Sequence, residues 1–184
     1  MSLARPFLAA AAAVLAAGTL SAAAPAPARP HRTESAGGVQ WTVPARWSAG
    51  ASSAMRVATY SVPAAKGSEP GECAVFFFGA GQGGTVDANV ERWGRQFEGS
   101  PRPEQTATTV AGLRVTRAQV SGTFLAPGGP MMQSTGKRPG YRLLGAIAEG
   151  PEGNVFFKLT GPATTLAAAK PDFEALIASL RRKK

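Results

Sequence analysis

A chain of 184 residues with a single cysteine has room for one domain of ordinary size and cannot form a disulfide within itself. The formal net charge is +9, but the last four residues, Arg181 to Lys184, supply four of these charges, so the rest of the chain is only mildly basic. Most aromatic residues lie in apolar runs rather than among cations, which argues against a nucleic-acid-binding protein. We expect the four terminal cations to end a C-terminal helix, where they complement the helix dipole.

Residues 1–28 have the pattern of a secretory signal peptide. One cation, Arg5, precedes an apolar run over residues 7–20 that is too short to span a bilayer, and small residues offer cleavage sites after Ala23 or Ala28. No cysteine follows the apolar run, so we expect a mature protein without a lipid anchor. The pattern predicts export to the periplasm or the extracellular space and no transmembrane segment.

Residues 29–38 are rich in proline, glycine and small polar residues and carry nothing to bury. We expect a disordered leader here, followed by a single α/β domain over residues 39–184. The only histidine, His31, lies in the leader. The folded domain therefore lacks an imidazole for a Ser-His or Cys-His pair or for a typical zinc site. The sequence predicts no catalytic constellation, no metal site and no cofactor.

Three strands are predicted in the first part of the domain. They cover residues 39–43, 55–62 and 73–78. The third strand is apolar on both alternating faces, as expected of a strand that is covered from both sides. Cys73 opens this strand, so we interpret it as a small buried hydrophobe rather than a reactive thiol.

An amphipathic helix is predicted after these strands. Apolar residues recur at helical spacing, and we expect Trp93 and Phe97 on its sheet-facing side. Thr85 or Asp87 can cap the start of the helix, and Gly99 marks its exit.

Loop 79–84, here called the glycine loop, joins the third strand to this helix through the pattern G-x-G-x-x-G. This pattern is typical of a dinucleotide-binding turn, and a phosphate-binding loop is a second interpretation. The acidic residue that a dinucleotide site needs about 20 residues further on has only Glu104 as a candidate, and no lysine follows Gly84. We predict that the loop is structural, with glycines that supply positive φ and pack against Phe78. We expect nucleotides, NAD and phosphate not to bind.

The second part of the domain predicts four strands and another helix. The strands cover residues 105–110, 113–125, 141–148 and 154–160. The first two must be antiparallel, because the turn at Ala111 and Gly112 is too short for a crossover. In the final helix, an apolar face spans residues 173–180, and Pro171 is expected in the first turn.

Loop 126–140 is the longest interior stretch without periodicity. Met131 and Met132 give it an adaptable apolar tip, and Lys137 and Arg138 add charge beside the tip. A loop of this length is either functional or disordered, and both interpretations stay open. We take these four residues as the candidate interaction residues. Together with the glycine loop, they are expected to form a binding surface at one end of the sheet.

The element order resembles the PsbP/Mog1-like α/β/α sandwich. The likeness spans residues 39–182 and includes a W-x-V-P-x-x-W start at Trp41, a strand-glycine-helix centre and a final F-x-x-L-I-x-x-L helix from Phe173. The stretch N-V-F-F-K-L-T-G-P from Asn154 also resembles small uncharacterised exported bacterial proteins. An α+β fold is therefore expected, with a mostly antiparallel sheet of about six to seven strands and helices on both faces.

Members of this group serve mostly as accessory or binding subunits of larger assemblies and share no catalytic residues. The resemblance implies such a role but assigns no residue. We expect a non-enzymatic binding or accessory domain with an envelope protein as its partner. Two alternatives stay open, a purely structural envelope protein and a hydrolase that uses carboxylates. The acidic residues available to a hydrolase include Glu69, Glu72, Asp87, Glu149 and Glu152.

Overall fold

The computed structural model describes residues 32–51, 53–126 and 136–183. The predicted signal peptide, residues 1–28, lies outside the described residues. The strands are β1 (Arg32–Ala36), β2 (Val39–Val43), β3 (Ser48–Ala49), β4 (Ala58–Val62), β5 (Gly71–Phe77), β6 (Glu104–Val110), β7 (Leu113–Ala126), β8 (Gly136–Gly150), β9 (Gly153–Pro162) and β10 (Arg181–Arg182). The helices are α1 (Val86–Gly94) and α2 (Ala163–Ala178).

The strands form two antiparallel sheets. The larger sheet has seven strands in the order β3-β4-β5-β9-β8-β7-β6, and the smaller has three in the order β1-β2-β10. The turn at Ala111 and Gly112 joins β6 to β7 with both residues at positive φ, 45° and 77°, as a tight hairpin requires. The predicted α+β class with a mostly antiparallel sheet of about seven strands is confirmed.

The two helices lie on opposite faces of the seven-stranded sheet. In β8, Leu144 and Ala146 belong to the core under α2, whereas Leu143 and Ile147 belong to the core under α1. The three-stranded sheet packs beside α2 and helps to cover that face. Helix α1 has nine residues and contacts mainly β7 and β8. Helix α1 therefore covers its face of the sheet mainly above β7 and β8 and leaves β4 and β5 less covered.

Trp41 and Trp47 lie in the core under α2. The Trp41 ring meets Phe157 edge to face, with centroids 5.2 Å apart. Its Nε1 donates a hydrogen bond to the Tyr60 hydroxyl at 2.9 Å, and that hydroxyl donates to Glu34 at 2.5 Å. This chain of hydrogen bonds connects the buried centre of the domain to β1.

The predicted disordered leader is wrong for residues 32–38, because β1 and its turn lie there. Gly37 and Gly38 have φ values of 58° and 71° and form the two-residue turn that returns the chain into β2. A polar sequence suits β1 because it is an edge strand with most side chains exposed. The glycine pair was the sequence signal for this hairpin, and the domain begins before residue 39.

Helix α1 begins where one of the two predicted caps stands. Thr85 is the N-cap, and its Oγ1 accepts a hydrogen bond from the backbone N–H of Ala88 at 3.2 Å. The helix ends at Gly94, five residues before the predicted exit at Gly99. A Cβ on Gly94 would lie 2.4 Å from the carbonyl oxygen of Pro101, so the returning chain passes close to the last helical turn.

Trp93 and Phe97 are core residues, as predicted, but only Trp93 lies on the helix. A Cβ added to Gly145 of β8 would lie 2.2 Å from the Trp93 ring, so this position requires glycine. Phe97 follows the helix and pairs with Phe124 through an isolated β-bridge. Its ring lies 5.4 Å from the Phe124 ring.

The predicted extent of loop 126–140 is wrong at both ends, because β7 continues to Ala126 and β8 begins at Gly136. The pairing of β7 with β8 shifts register between Gly122 and Phe124. Pro139 lies within this bulge, on β8, where its nitrogen needs no ladder partner, so a proline within β8 does not end the strand. Met131 and Met132 lie outside the described residues.

Helix α2 starts directly after β9, eight residues before Pro171. Pro171 therefore lies inside the helix, not in its first turn as predicted. The alanine-rich stretch before it has high helix propensity, and the buried side chains of α2 repeat at helical spacing on both sides of the proline. Packing against the sheet thus maintains the helix despite the missing backbone donor. Neither described helix has the length and hydropathy of a membrane span.

We expected the basic C-terminal residues to end this helix, and that expectation is wrong for Arg181 and Arg182. Arg181 and Arg182 form strand β10 and pair with Gln40 and Val39 of β2. Leu180, just before them, is buried in the core under α2. Burial of this leucine brings the chain alongside β2, where its backbone completes the three-stranded sheet.

Candidate functional site

The glycine loop has the structural role that we predicted. Gly79, Gly81, Gly83 and Gly84 all have positive φ, between 69° and 100°. The contact with Phe78 is made at Gly83, where an added Cβ would lie 2.8 Å from that ring and 3.0 Å from the ring of Phe156. These glycines therefore permit a compact turn that lies against aromatic side chains of the sheet.

The glycine loop lies at the opposite end of the sheet from Ala126 of β7 and Gly136 of β8. Gly153, at the start of β9, is so close to Gly79 that an added Cβ would lie 2.8 Å from its carbonyl oxygen. At the other end of β8, Gly136 pairs with Ala126. Fifteen residues of strand separate Gly136 from the β8–β9 turn, a distance of roughly 40 Å. The expectation of one surface formed by both loops is therefore wrong.

Lys137 and Arg138, the described candidate interaction residues, lie on β8 and form ion pairs. Lys137 pairs with Glu98, and the Arg138 guanidinium lies 3.2 Å from Glu69. The guanidinium also lies 5.8 Å from the centroid of the Tyr141 ring. The Tyr141 hydroxyl beside it raises the pKa of Arg138. These exposed pairs contribute little to stability and attach the end of β8 to its surroundings.

A different region gathers the exposed hydrophobic side chains. Within residues 32–51, 53–126 and 136–183, the large hydrophobic residues that are exposed are Met55 (66%), Val57 (46%) and Phe78 (37%). Val57 directly precedes β4, and its N–H donates to the carbonyl oxygen of Val75 in β5. Phe78 follows β5, and its ring stacks on Phe76 with centroids 6.0 Å apart.

We call this surface the open face and define it by the exposed hydrophobic side chains and the cations around them. Its members are Met55, Arg56, Val57, Phe76, Phe78, Arg92, Arg95 and Lys158. The Arg56 guanidinium lies 5.8 Å from the centroid of the Phe76 ring and forms an ion pair with Glu72 at 2.8 Å. Aromatic rings and arginines in this arrangement are typical of protein-binding surfaces.

Two clefts flank α1. One has a volume of about 620 Å³, lies between the helix and the glycine loop, and is lined by Phe78, Arg92 and Arg95. It continues the open face. The other, of about 740 Å³, lies on the far side of the helix against residues 100–103, and Asp87 and Glu91 contribute to its lining together with cations. Its mixed charge and lack of aromatic side chains make it a less specific surface.

Lys158 lies on β9 at the inner edge of the open face, beside Ala74 of β5 and Gly145 of β8. Its ammonium is 5.7 Å from the centroid of the Phe124 ring, and the side chain is partly buried. Burial lowers the pKa of Lys158 to about 8, and the neighbouring Arg56 and Arg92 contribute to this shift. In the described part of the chain, this ammonium forms no hydrogen bond and no ion pair.

Sequence analysis did not identify Lys158 as a candidate binding residue, although the pattern of β9 indicates its unusual position. In the stretch N-V-F-F-K-L-T, alternation places Val155, Phe157 and Leu159 on one face, and all three are buried under α2. Lys158 therefore had to lie on the opposite face beside Phe156, within an otherwise apolar strand. A cation at such a central strand position is unusual and is a reason to look for a binding role.

Cys73 and the carboxylates were also considered in the sequence. Cys73 is buried, and burial raises the pKa of its thiol, which disfavours the reactive thiolate. Glu69, Glu72 and Glu149 each form an exposed ion pair with an arginine. Within the described residues, no group of three or more His, Cys, Asp or Glu side chains could hold a metal ion.

Neither protein-family models nor curated proteins gave a match to this chain. Among solved structures, the chain is similar to the cyanobacterial PsbP protein CyanoP from Synechocystis sp. PCC 6803, with a TM-score of 0.50 and 11% identity over 90% of this chain and 99% of that one. The fold is PsbP-like. A protein of unknown function from Pseudomonas aeruginosa, PA94, also matches, with a TM-score of 0.48 and 12% identity over 81% of this chain and 94% of that one. The predicted likeness to the PsbP group is thus confirmed for the fold of this protein.

Proposed function

We propose that this protein is an exported, non-enzymatic binding or accessory domain that docks an envelope protein on its open face. One observation carries the proposal. Among the exposed large hydrophobic side chains of the described residues, Met55 and Val57 precede β4 and Phe78 follows β5, so all three lie at the same end of a strand pair that α1 covers less than β7 and β8. Apolar patches that cations surround in this way are typical of sites where another protein binds. The PsbP-like fold supports the same role, since the PsbP group serves mostly in larger assemblies.

The proposal is tested by placing a charge in the open face. Tagged wild-type protein and the Val57→Asp and Phe78→Asp variants are each used to purify partners from envelope extracts. A carboxylate at either position must be desolvated when a partner docks, so we expect a stoichiometric partner with the wild type and loss of it with both variants. Ala168→Asp, on the exposed side of α2, adds the same charge away from the open face and is expected to retain the partner.

Melting temperatures of the three variants show whether the fold is intact, since all three positions have exposed or partly exposed side chains. A wild type that retains no stoichiometric partner contradicts the proposal. So does a partner that Val57→Asp and Phe78→Asp retain as well as the wild type. Either result favours a purely structural role or the carboxylate hydrolase over a binding domain.

A further inference from the structure

Lys158 is a cation on the open face for which the described chain provides no anion. Its neighbours across the sheet are Ala74 and Gly145, and the Trp93 ring lies over Gly145. The nearest charged groups include Arg56 and Arg92, which repel it, and Glu72, which attracts it. Glu72 already forms an ion pair with Arg56. The positive charge of Lys158 is therefore left without a counter-charge.

Two buried hydroxyl groups near Lys158 also lack partners. The Oγ1 atoms of Thr59 and Thr160 are buried and form no hydrogen bond. Thr160 is two residues along β9 on the same face, and Thr59 lies in the same row across the sheet, paired with Ala74, which pairs with Lys158. Thr59 is 8% exposed. Unpaired buried donors are rare in folded proteins and mark places where a partner is missing.

We propose that Lys158 is the centre of an oxyanion subsite on the open face that takes a single carboxylate from an acidic segment of the partner protein. The carboxylate accepts from the Lys158 ammonium. Water molecules that enter with it provide acceptors for the hydroxyls of Thr59 and Thr160. The aromatic rings of Phe124 and Phe76 beside the site lower the local dielectric constant and strengthen the attraction.

The charge of the site argues for a carboxylate rather than a phosphate. Arg56 is neutralised by Glu72, and Arg95 forms an ion pair with Glu91 at 3.4 Å. A single carboxylate therefore balances the charge of Lys158, and Glu72 repels a dianion more strongly than a monoanion. The acidic segment follows from Arg92 in the adjoining cleft, which forms no ion pair within the described residues and attracts a second acidic group. This inference rests on the proposed function, because it names the chemistry of the partner at the same face.

The experiment uses the isolated protein and a poly-glutamate peptide as the probe. The pKa of each lysine is followed by NMR of the side-chain ammonium groups, with Lys158 assigned by its loss in Lys158→Met. A carboxylate beside Lys158 favours its charged form, so we expect the peptide to raise the pKa of Lys158 and leave that of Lys170 unchanged. Inorganic phosphate is tested at the same ionic strength.

The matched variants are Lys158→Met and Lys170→Met, which remove one partly buried and one exposed lysine. We expect Lys158→Met to weaken poly-glutamate binding by about tenfold and Lys170→Met to have no effect beyond that of general charge. An unchanged pKa of Lys158 on addition of the peptide overturns the subsite. A larger response to phosphate than to the peptide overturns its assignment to a carboxylate.

These outcomes are independent of the test of the proposed function. If the partner from envelope extracts depends on Val57 and Phe78 but binds Lys158→Met as tightly as the wild type, the subsite fails and the proposed function stands. If no partner is found but poly-glutamate raises the pKa of Lys158, the proposed function fails and the subsite stands as a carboxylate site of another kind.

Discussion

Lys158 conflicts with its surroundings. It lies on a central strand between Ala74 and Gly145, and its side chain passes over the ring of Phe124. An apolar side chain in this position would avoid the desolvation of an ammonium group. Residues that weaken the fold in this way are expected where function requires them.

We predict that Lys158→Met stabilises the protein at neutral pH. The pKa of Lys158 is about 8 in the folded protein and has the ordinary value of 10.5 in the unfolded chain. The unfolded state thus binds more protons between these values, so the contribution of Lys158 to the free energy of unfolding rises with pH across this window. Below pH 8 the full penalty is present, and its removal raises the free energy of unfolding by about 1 to 3 kcal/mol.

Urea unfolding at several pH values between about 7 and 10 provides the measurement. The advantage of Lys158→Met over the wild type is expected to shrink as the pH rises. Lys170→Met, at an exposed position of α2, is the control and is expected to show no such trend. A variant that is less stable than the wild type at pH 7 would mean that the contact with Phe124 outweighs the desolvation of the ammonium.

At the scale of elements, α1 and the glycine loop determine how much of the sheet is covered. The helix is short because Gly94 meets the returning chain at Pro101. At its start, the Asn89 side chain donates to the carbonyl oxygens of Gly83 and Thr85, each at 2.8 Å, and holds the loop against the helix. The loop thereby positions Phe78 beside the cleft of the open face.

We predict that Gly83→Ala destabilises the protein more than Gly81→Ala does. Both glycines have positive φ, which costs a residue with a Cβ about 1 to 2 kcal/mol. At Gly81 an added Cβ meets no atom within 4 Å, whereas at Gly83 it meets the rings of Phe78 and Phe156. Overpacking adds about 1 to 3 kcal/mol to the cost at Gly83.

Gly81→Ala is thus the control for backbone strain alone. The free energies of unfolding of both variants, measured in urea, give the comparison. Equal losses would show that the glycine loop moves away from the aromatic side chains at little cost. In that case, the position of Phe78 would not depend on the loop.

At the scale of the whole molecule, the two faces of the large sheet are covered unequally. Helix α2 and the three-stranded sheet cover one face, and the nine-residue α1 covers part of the other. The three-stranded sheet is made from both ends of the described chain, since β1 precedes β2 and β10 follows α2. Processing near the N-terminus therefore bears directly on the fold, because β1 begins at Arg32.

We predict that the mature protein begins between residues 24 and 29 and carries no lipid. Such a cleavage removes the predicted signal peptide and leaves β1 complete, with Glu34 in place to accept its hydrogen bond from Tyr60. Intact-mass measurement of the exported protein decides the start and any acyl group. A mature start outside residues 24–29, an uncleaved chain or an added acyl mass would each contradict the prediction.

Local patterns in the sequence were sufficient for much of the fold. The alternation in β9 and the helical spacing in α1 predicted which side chains are buried, because each pattern is a property of one element and its two faces. A few neighbouring residues likewise determine three local features. These are the helix cap at Thr85, the turn at Ala111 and Gly112, and the burial of Cys73. The PsbP-like fold follows from the order of such elements.

Other features depend on neighbours that are distant in the chain. Strand β5 pairs with β9, and Lys158 therefore lies beside Ala74 and near Arg56, about 80 to 100 positions away in the sequence. The pairing of β7 with β8 and the contact of Gly153 with Gly79 likewise place Ala126 and the glycine loop at opposite ends of the sheet. Strand β1 depends on its backbone pairing with β2 and on the hydrogen bond from Tyr60 to Glu34. The sequence by itself thus determined the elements and their buried faces, whereas the open face arose from strand order, because long-range pairing depends on the packing of the whole chain.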